Sequence, residues 1–474
     1  MQLRRQTIVL CSVVFLLAQS MMPANVMGIT IKEEEELSRE FLKVIEKRYE
    51  LIRDPLIVGY VNTVGKNILS AMPPQPFAYH FYVVKQHVYN AFATPAGHIF
   101  INSGLLEALQ REDELAGILA HEIAHVVCRH ISQNIDRAPK IGLATLAGIA
   151  AGIFLGVGGT AALGNAVAIG SGAAGQSVSL AFSREDELQA DQLALDYLYK
   201  AGYGAEGLLS SLKILRSKQW FGTEQIPDYL MTHPASEERM AFIDSWIERN
   251  PLPPSDRRAD NQNEFLLVKT TLQGKYGDEQ TAMPALKSRV QAQPDDPLAN
   301  YGYALALAKS GNRDTALDYM KKALEKEALN PYMLKELGRI YFLDGQYEKA
   351  RKVLEGAISL MPDDTEGRFY LARSYMELNQ LQEATDAFQS LQKKDPDNAE
   401  TYLFLGNIYG QQDKLGEAHY YLGIYHKMNR RWKTAAIHLN KALQYTSDPK
   451  KKEELEEMLK VVQKEIKREA AAKQ

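Results

Sequence analysis

Apolar residues recur at helical spacing from Glu33 to Ala71, with a break near Asp54-Pro55. After Pro76 the pattern changes. Tyr79-His80-Phe81-Tyr82-Val83-Val84 is a run of β-forming residues and predicts a strand. A second short strand is expected to end near Asn90-Ala91-Phe92-Ala93. His98-Ile99-Phe100-Ile101 predicts a third, with Gly97 setting the turn before it and Asn102-Ser103-Gly104 closing it. Helical spacing resumes from about Glu112 to Ser132, without Gly or Pro after Gly117. Residues 141–183 then carry no charge at all, and ten glycines fall between Gly142 and Gly175. Past Pro251-Leu252-Pro253-Pro254-Ser255 a longer period takes over. Ala316, Ala350, Ala384 and Ala418 are spaced by 34, and Ala304, Gly338, Ala372 and Gly406 stand twelve residues before them. Tyr341, Tyr375 and Tyr409 keep the period, and Pro362 and Pro396 close two units. Small residues at such intervals lie where paired helices touch, and large ones fill the gaps.

That 34-residue unit is the tetratricopeptide pattern, which stacks helix pairs into a solenoid with a concave binding surface. A degenerate first unit is expected over Asn263 to Gln293. A further one reuses the helix Gly416 to Lys427, where Gly423, Ala435 and Leu439 restart the register. The Lys- and Glu-rich tail after Pro449 predicts a solvated capping helix. A length of 474 residues suits two or three domains. We divide the chain into a leader over 1–28, a first domain over 29–255 and the repeat domain over 256–474.

Composition is ordinary for a soluble protein, and a net charge of -4 gives no reason to expect nucleic acid. The start of the chain differs. Arg4 and Arg5 precede an apolar run, Ile8 to Ala18, and small residues follow in Val26-Met27-Gly28, the layout of a secretory signal cleaved near Gly28. A retained anchor is the alternative, though the run is short for a membrane span. Cys11 lies inside the run. Once it is removed, Cys128 stands alone and no intramolecular disulfide can form. An exported chain without disulfides fits a periplasm-like space. The uncharged stretch 141–183 has three readings: a cover over the active site, a peripheral membrane contact, or a buried helical hairpin.

The chemistry concentrates in His121-Glu122-Ile123-Ala124-His125. Helical spacing puts His121 and His125 on one face, where two imidazoles can reach one zinc ion. Glu122 beside them suits the general base that takes a proton from the attacking water. Downstream, Ser183 is a candidate N-cap for a helix with an acidic first turn. There Glu187 and Asp191 share a face: Glu187 completes a His, His, Glu ligand set, and Asp191 can accept the outer N–H of a ligating imidazole. His87 and His98 are further candidate ligands, although isolated histidines in strands are more often structural. His233 precedes Pro234, which biases it away from helix. It has three readings: a donor to the tetrahedral intermediate, an occupant of zinc's fourth position that keeps the enzyme latent, or a structural loop histidine. A small sheet beside the helix can offer an edge strand to an extended substrate.

These motifs together resemble the HtpX and CAAX-prenyl-protease family of zinc peptidases over about residues 35 to 250. His121 to His125, Ser183 to Asp191, Asn90 to Leu105, and Thr232-His233-Pro234 followed by Arg239 carry the resemblance. It implies an α+β zincin-like fold, mostly helical with a small sheet, ahead of the all-α solenoid. It implies one Zn2+ per chain held by His121, His125 and Glu187, with Glu122 as catalytic base. For members that carry a solenoid, it implies periplasmic quality control of outer-membrane β-barrel proteins. The partners would be unfolded or stalled outer-membrane proteins as substrates and the barrel-assembly machinery bound through the repeats. The membrane-embedded members carry clear transmembrane helices, and this chain shows no such pattern, which argues against a prenyl-protein substrate. A chaperone or scaffold whose peptidase is latent or secondary is the competing reading.

Overall fold

The computed structural model describes residues 29–136, 182–220, 228–258 and 261–471. The leader 1–28 and nearly all of the stretch 141–183 lie outside the described residues. The chain packs as two units, one of residues up to 52 with 61–261, the other of residues 53–60 with 262–474.

The first unit begins with α1 (Ile31–Arg48), capped reciprocally by Thr30 and Glu33. Leu37, Phe41 and Ile45, four residues apart, are its buried stripe. After β1 (Leu51–Ile52), a strand the helical pattern hid, comes α2 (Pro55–Ser70). The sheet adds β2 (His80–Val84), β3 (Ala91–Thr94) and β4 (His98–Asn102), in spatial order β1-β2-β4-β3. β2 runs parallel to β4 with Phe81 opposite Ile99, and β3 runs antiparallel with Ala93 opposite Ile99. The tight β3–β4 turn places Ala96 at φ 62° and Gly97 at φ 84°. At Gly97 an added Cβ would sit 2.9 Å from the Ala78 carbonyl oxygen, so glycine fits both the turn and the close approach.

Helix α3 (Ser103–Ala108) leads into α4 (Glu112–Val127), which carries His121 to His125 and packs against β3. Nearly every residue of α4 is buried. Helix α6 (Arg184–Lys200) and helix α7 (Glu206–Trp220) flank α4. α7 approaches backbone to backbone, since a Cβ on Gly117 would lie 2.6 Å from the Leu208 amide nitrogen. α4 is shorter than its periodicity predicts. Arg129 adopts φ 56°, and a new helix, α5 (His130–Asp136), starts after it. The cause is tertiary: Arg129 Nε bonds Glu34 Oε1 at 2.7 Å and its Nη2 bonds the Ile29 carbonyl at 2.5 Å. The short α8 (Asp228–Thr232) and α9 (Glu237–Arg249) complete the described part of this unit.

The second unit contains twelve helices among its described residues past 261. They are α10 (Gln262–Tyr276), α11 (Glu279–Ala292), α12 (Pro297–Lys309), α13 (Arg313–Lys326), α14 (Pro331–Leu343), α15 (Tyr347–Leu360), α16 (Thr365–Glu377), α17 (Leu381–Lys394), α18 (Ala399–Gln411), α19 (Leu415–Met428), α20 (Trp432–Tyr445) and α21 (Pro449–Ala471). Ala316, Ala350, Ala372 and Ala384 are fully buried. The glycines of the period stand where a side chain cannot fit: a Cβ on Gly338 would meet Leu354 Cγ at 2.5 Å, and one on Gly406 would meet Leu422 Cγ at 2.7 Å. α19 packs against both α18 and α20, so one helix serves two units, and Gly423 lies against Leu439. α21 covers α20 with Leu455, Leu459 and Val462. A buried ion cluster escapes the periodicity: Lys275 Nζ lies 2.6 Å from Asp54 Oδ2 and 3.0 Å from both Glu336 Oε1 and Glu366 Oε1. Among the described residues no helix is long and apolar enough to cross a membrane.

Candidate active site

α4 delivers His121 and His125 to one face because they are one helical turn apart. α6 runs alongside it and delivers Glu187 and Asp191 by the same spacing. Its start is fixed by Ser183, which accepts from the Asp186 amide at 3.1 Å, while Asp186 accepts from the Ser183 amide at 3.0 Å. His233 stands just past α8, and its amide donates to the Tyr229 carbonyl at 2.8 Å, continuing the helical pattern by one residue until Pro234.

The five groups converge in a space closed to solvent. His121, Glu122, His125, Glu187 and His233 are at most 1% exposed. His121 Nε2 lies 3.0 Å from His125 Nε2, 3.3 Å from His233 Nδ1 and 3.4 Å from Glu187 Oε2. Glu187 Oε1 lies 3.3 Å from His125 Nε2 and 3.0 Å from His233 Nδ1. A tetrahedral metal with ligand bonds of about 2.1 Å requires ligand atoms about 3.4 Å apart. One ligand atom from each of His121, His125, Glu187 and His233 lies within 4.8 Å of the others, close enough to share one ion. His87 and His98 stand elsewhere. His98 Nδ1 is 2.9 Å from the Tyr82 hydroxyl and its ring stacks on His80, while His87 faces Glu107.

The remaining atoms also suit a cation. Glu122 Oε1 and His233 Nε2 are buried without a hydrogen-bond partner among the described residues and lie 3.7 Å apart. Burial pushes His125 well below the usual imidazole range. At His121 burial acts the same way, but Asp191 and Glu187 outweigh it and raise the ring to about 9. Burial would raise Glu187, yet His233 and His121 hold its carboxyl well below the usual range. Clustered imidazoles and a carboxylate with so few donors between them are the donor set that zinc-type cations take.

A further layer holds these groups. Asp191 Oδ1 is 3.0 Å from His121 Nδ1. Arg239, from α9 and 3% exposed, clamps both carboxylates. Its Nε and Nη2 reach Asp191 at 2.7 and 2.8 Å, its Nη1 pairs with Glu187, and that nitrogen also donates to the Pro234 carbonyl at 3.0 Å. Phe182 packs on the His125 ring at 4.0 Å, and Tyr229 stacks on His233 at 4.5 Å. Sequence patterns assign Arg239 no role and do not single out His130 or Phe182. The available signal was thin: His130 falls five residues after His125, and Arg239 follows His233 by six.

Comparison with known proteins agrees with this geometry. The Peptidase family M48 profile matches residues 59–247, and tetratricopeptide profiles match 280–331, 307–367 and 341–408. The beta-barrel assembly-enhancing protease of Yersinia pestis is 27% identical over 376 residues, 76% of this chain and 74% of that protein. Its Escherichia coli K12 namesake is 25% identical over 378 residues, 78% of this chain and 76% of that protein. The mitochondrial metalloendopeptidase OMA1 of Saccharomyces cerevisiae is 27% identical over 217 residues, 44% of this chain and 54% of that protein. A site of histidines and a carboxylate, on a domain that this profile covers, leads to one conclusion: residues 59–247 of the chain are a Peptidase family M48 domain, a metallopeptidase domain joined to tetratricopeptide repeats.

Proposed function

We propose that the chain is an exported zinc endopeptidase that acts on unfolded or stalled outer-membrane β-barrel proteins in the periplasm. Its repeats would bind substrates or the barrel-assembly machinery. The observation that carries the peptidase chemistry is the buried cluster of His121, His125, Glu187 and His233 with Glu122 beside it. The names of the relatives support the outer-membrane role. The test is zinc content of the purified chain together with digestion of an unfolded outer-membrane protein, with casein as comparison. A metal-free chain that cleaves neither protein would overturn the proposal.

When bound, Zn2+ polarises the scissile carbonyl and acidifies the attacking water. His121, His125 and Glu187 would hold it. Glu122 takes the water's proton and returns it to the departing amine, a role suited to a buried carboxylate whose Oε1 has no hydrogen-bond partner among the described residues. Asp191 keeps the His121 proton on Nδ1, so that Nε2 offers its lone pair inward.

These roles separate two carboxylates on one helix. Glu187→Ala should weaken zinc binding strongly, because it removes the carboxylate ligand and leaves His121 and His125 with His233, which must withdraw before substrate enters, as the third donor. Asp191→Ala should weaken it by about ten- to a hundredfold. Titration against a chromophoric chelator reads both, and unchanged affinity in Glu187→Ala would move the third ligand elsewhere.

His233 occupies the position that a water and a carbonyl need. Its Nδ1 lies among the ligand atoms, and its Nε2 faces Glu122. We read this as the latent form, in which His233 must withdraw before substrate enters. The same feature favours a chaperone or scaffold that cleaves only on demand. His233→Ala should therefore raise basal proteolysis with zinc retained. A fall in turnover would instead assign His233 to the tetrahedral intermediate.

A further inference from the structure

The two imidazoles of α4 are backed by different partners. Behind His121 stands a carboxylate, Asp191. Behind His125 stands another imidazole: His130 Nδ1 lies 3.0 Å from His125 Nδ1. His130 is 1% exposed, and its ring meets that of His125 edge-on, with centroids 5.0 Å apart. Two neutral imidazole nitrogens at this distance share one proton, so one carries it and the other accepts.

The far side of His130 decides which. Its Nε2 lies 3.0 Å from Gln189 Oε1 and 3.6 Å from Asp186 Oδ1. Both neighbours offer oxygen acceptors, so Nε2 carries the His130 proton and Nδ1 keeps its lone pair. His125 must then donate from Nδ1, which leaves its Nε2 lone pair directed at His121 and Glu187.

The geometry points to His130 as a positioning residue that fixes the tautomer of His125 through a Gln189–His130–His125 relay. The inference rests on the metal-site reading above. The backbone turn that makes it possible is Arg129 at φ 56°, which ends α4 and swings His130 back over His125. A straight helix would carry residue 130 about 140° further round than residue 125, away from this contact. The α4–α5 break therefore has chemical content: it places an acceptor behind the second histidine of the motif.

The test uses the full chain and two readouts. His130→Leu removes the acceptor at similar bulk, whereas His130→Asn places a carbonyl oxygen near the lost Nδ1. Competition with a chromophoric chelator should show zinc affinity about ten- to a hundredfold lower in His130→Leu and largely restored in His130→Asn. Nitrogen-15 NMR of the metal-free wild type should show His125 protonated on Nδ1 and His130 on Nε2. Wild-type zinc affinity in a folded His130→Leu chain overturns the inference. The opposite tautomers in the metal-free chain do the same. A wild type that takes up no zinc, yet shows the expected tautomers, overturns the metal reading while the relay stands.

Discussion

Glu122→Gln should lower peptidase turnover by about a hundred- to ten-thousandfold while leaving zinc content and folding unchanged. Glu122 is 1% exposed on a helix packed on every side, and no hydrogen bond to its Oε1 is present among the described residues. It therefore contributes little to the scaffold that an amide of the same shape would disturb. What the amide lacks is basicity: it cannot take the proton of the attacking water or hand it to the leaving nitrogen. The comparison is single-turnover cleavage of an unfolded outer-membrane protein by wild type and variant at equal zinc loading. Undiminished cleavage would remove Glu122 from the proton path and leave the base to be found elsewhere.

Arg239→Ala should be the most destabilising single change at the site, by about 3–5 kcal/mol, the usual effect of removing one partner from a buried ion pair. Among the described residues, Arg239 is the guanidinium that faces both Glu187 and Asp191. Burial would lower its own pKa, but the two carboxylates outweigh that and hold the group firmly charged. Without it, two buried carboxylates four residues apart on one helix repel each other, and the Pro234 carbonyl loses its donor. Arg239→Lys should fall between wild type and alanine, since a single ammonium cannot reproduce the forked contact on Asp191. Thermal unfolding of the metal-free chains checks this order. An alanine variant that melts with the wild type would reduce Arg239 to a bystander.

The repeat unit was open to direct reading because its cause is local and periodic. Ala316, Ala350 and Ala384 are small for the same reason at each turn of the pattern, and Gly338 faces a leucine that leaves no room for a Cβ. The strands β2 and β4 could be read for a similar reason, since runs such as Phe81-Tyr82-Val83-Val84 are rich in the aromatic and β-branched residues that strands favour. β1 could not. It is two residues long, and only its pairing with Val83 and Val84 makes it a strand.

At the site, the alignment of His121 with His125 and of Glu187 with Asp191 follows from helical spacing alone, because i and i+4 share a face in any helix. No spacing states that α6 lies against α4, or that a histidine over a hundred residues downstream completes the cluster. Helix packing decided those. It also decided the end of α4. The apolar pattern runs on to Ser132, but an ion pair with Glu34, 95 residues away in sequence, holds Arg129 in a left-handed turn. Sequence by itself determined which residue types the chemistry would use. Tertiary structure decided how they are oriented: Arg239 between two carboxylates, His130 behind His125, and His233 against His121 and Glu187. Those contacts join segments that no local pattern links, and each depends on burial that only the folded chain supplies.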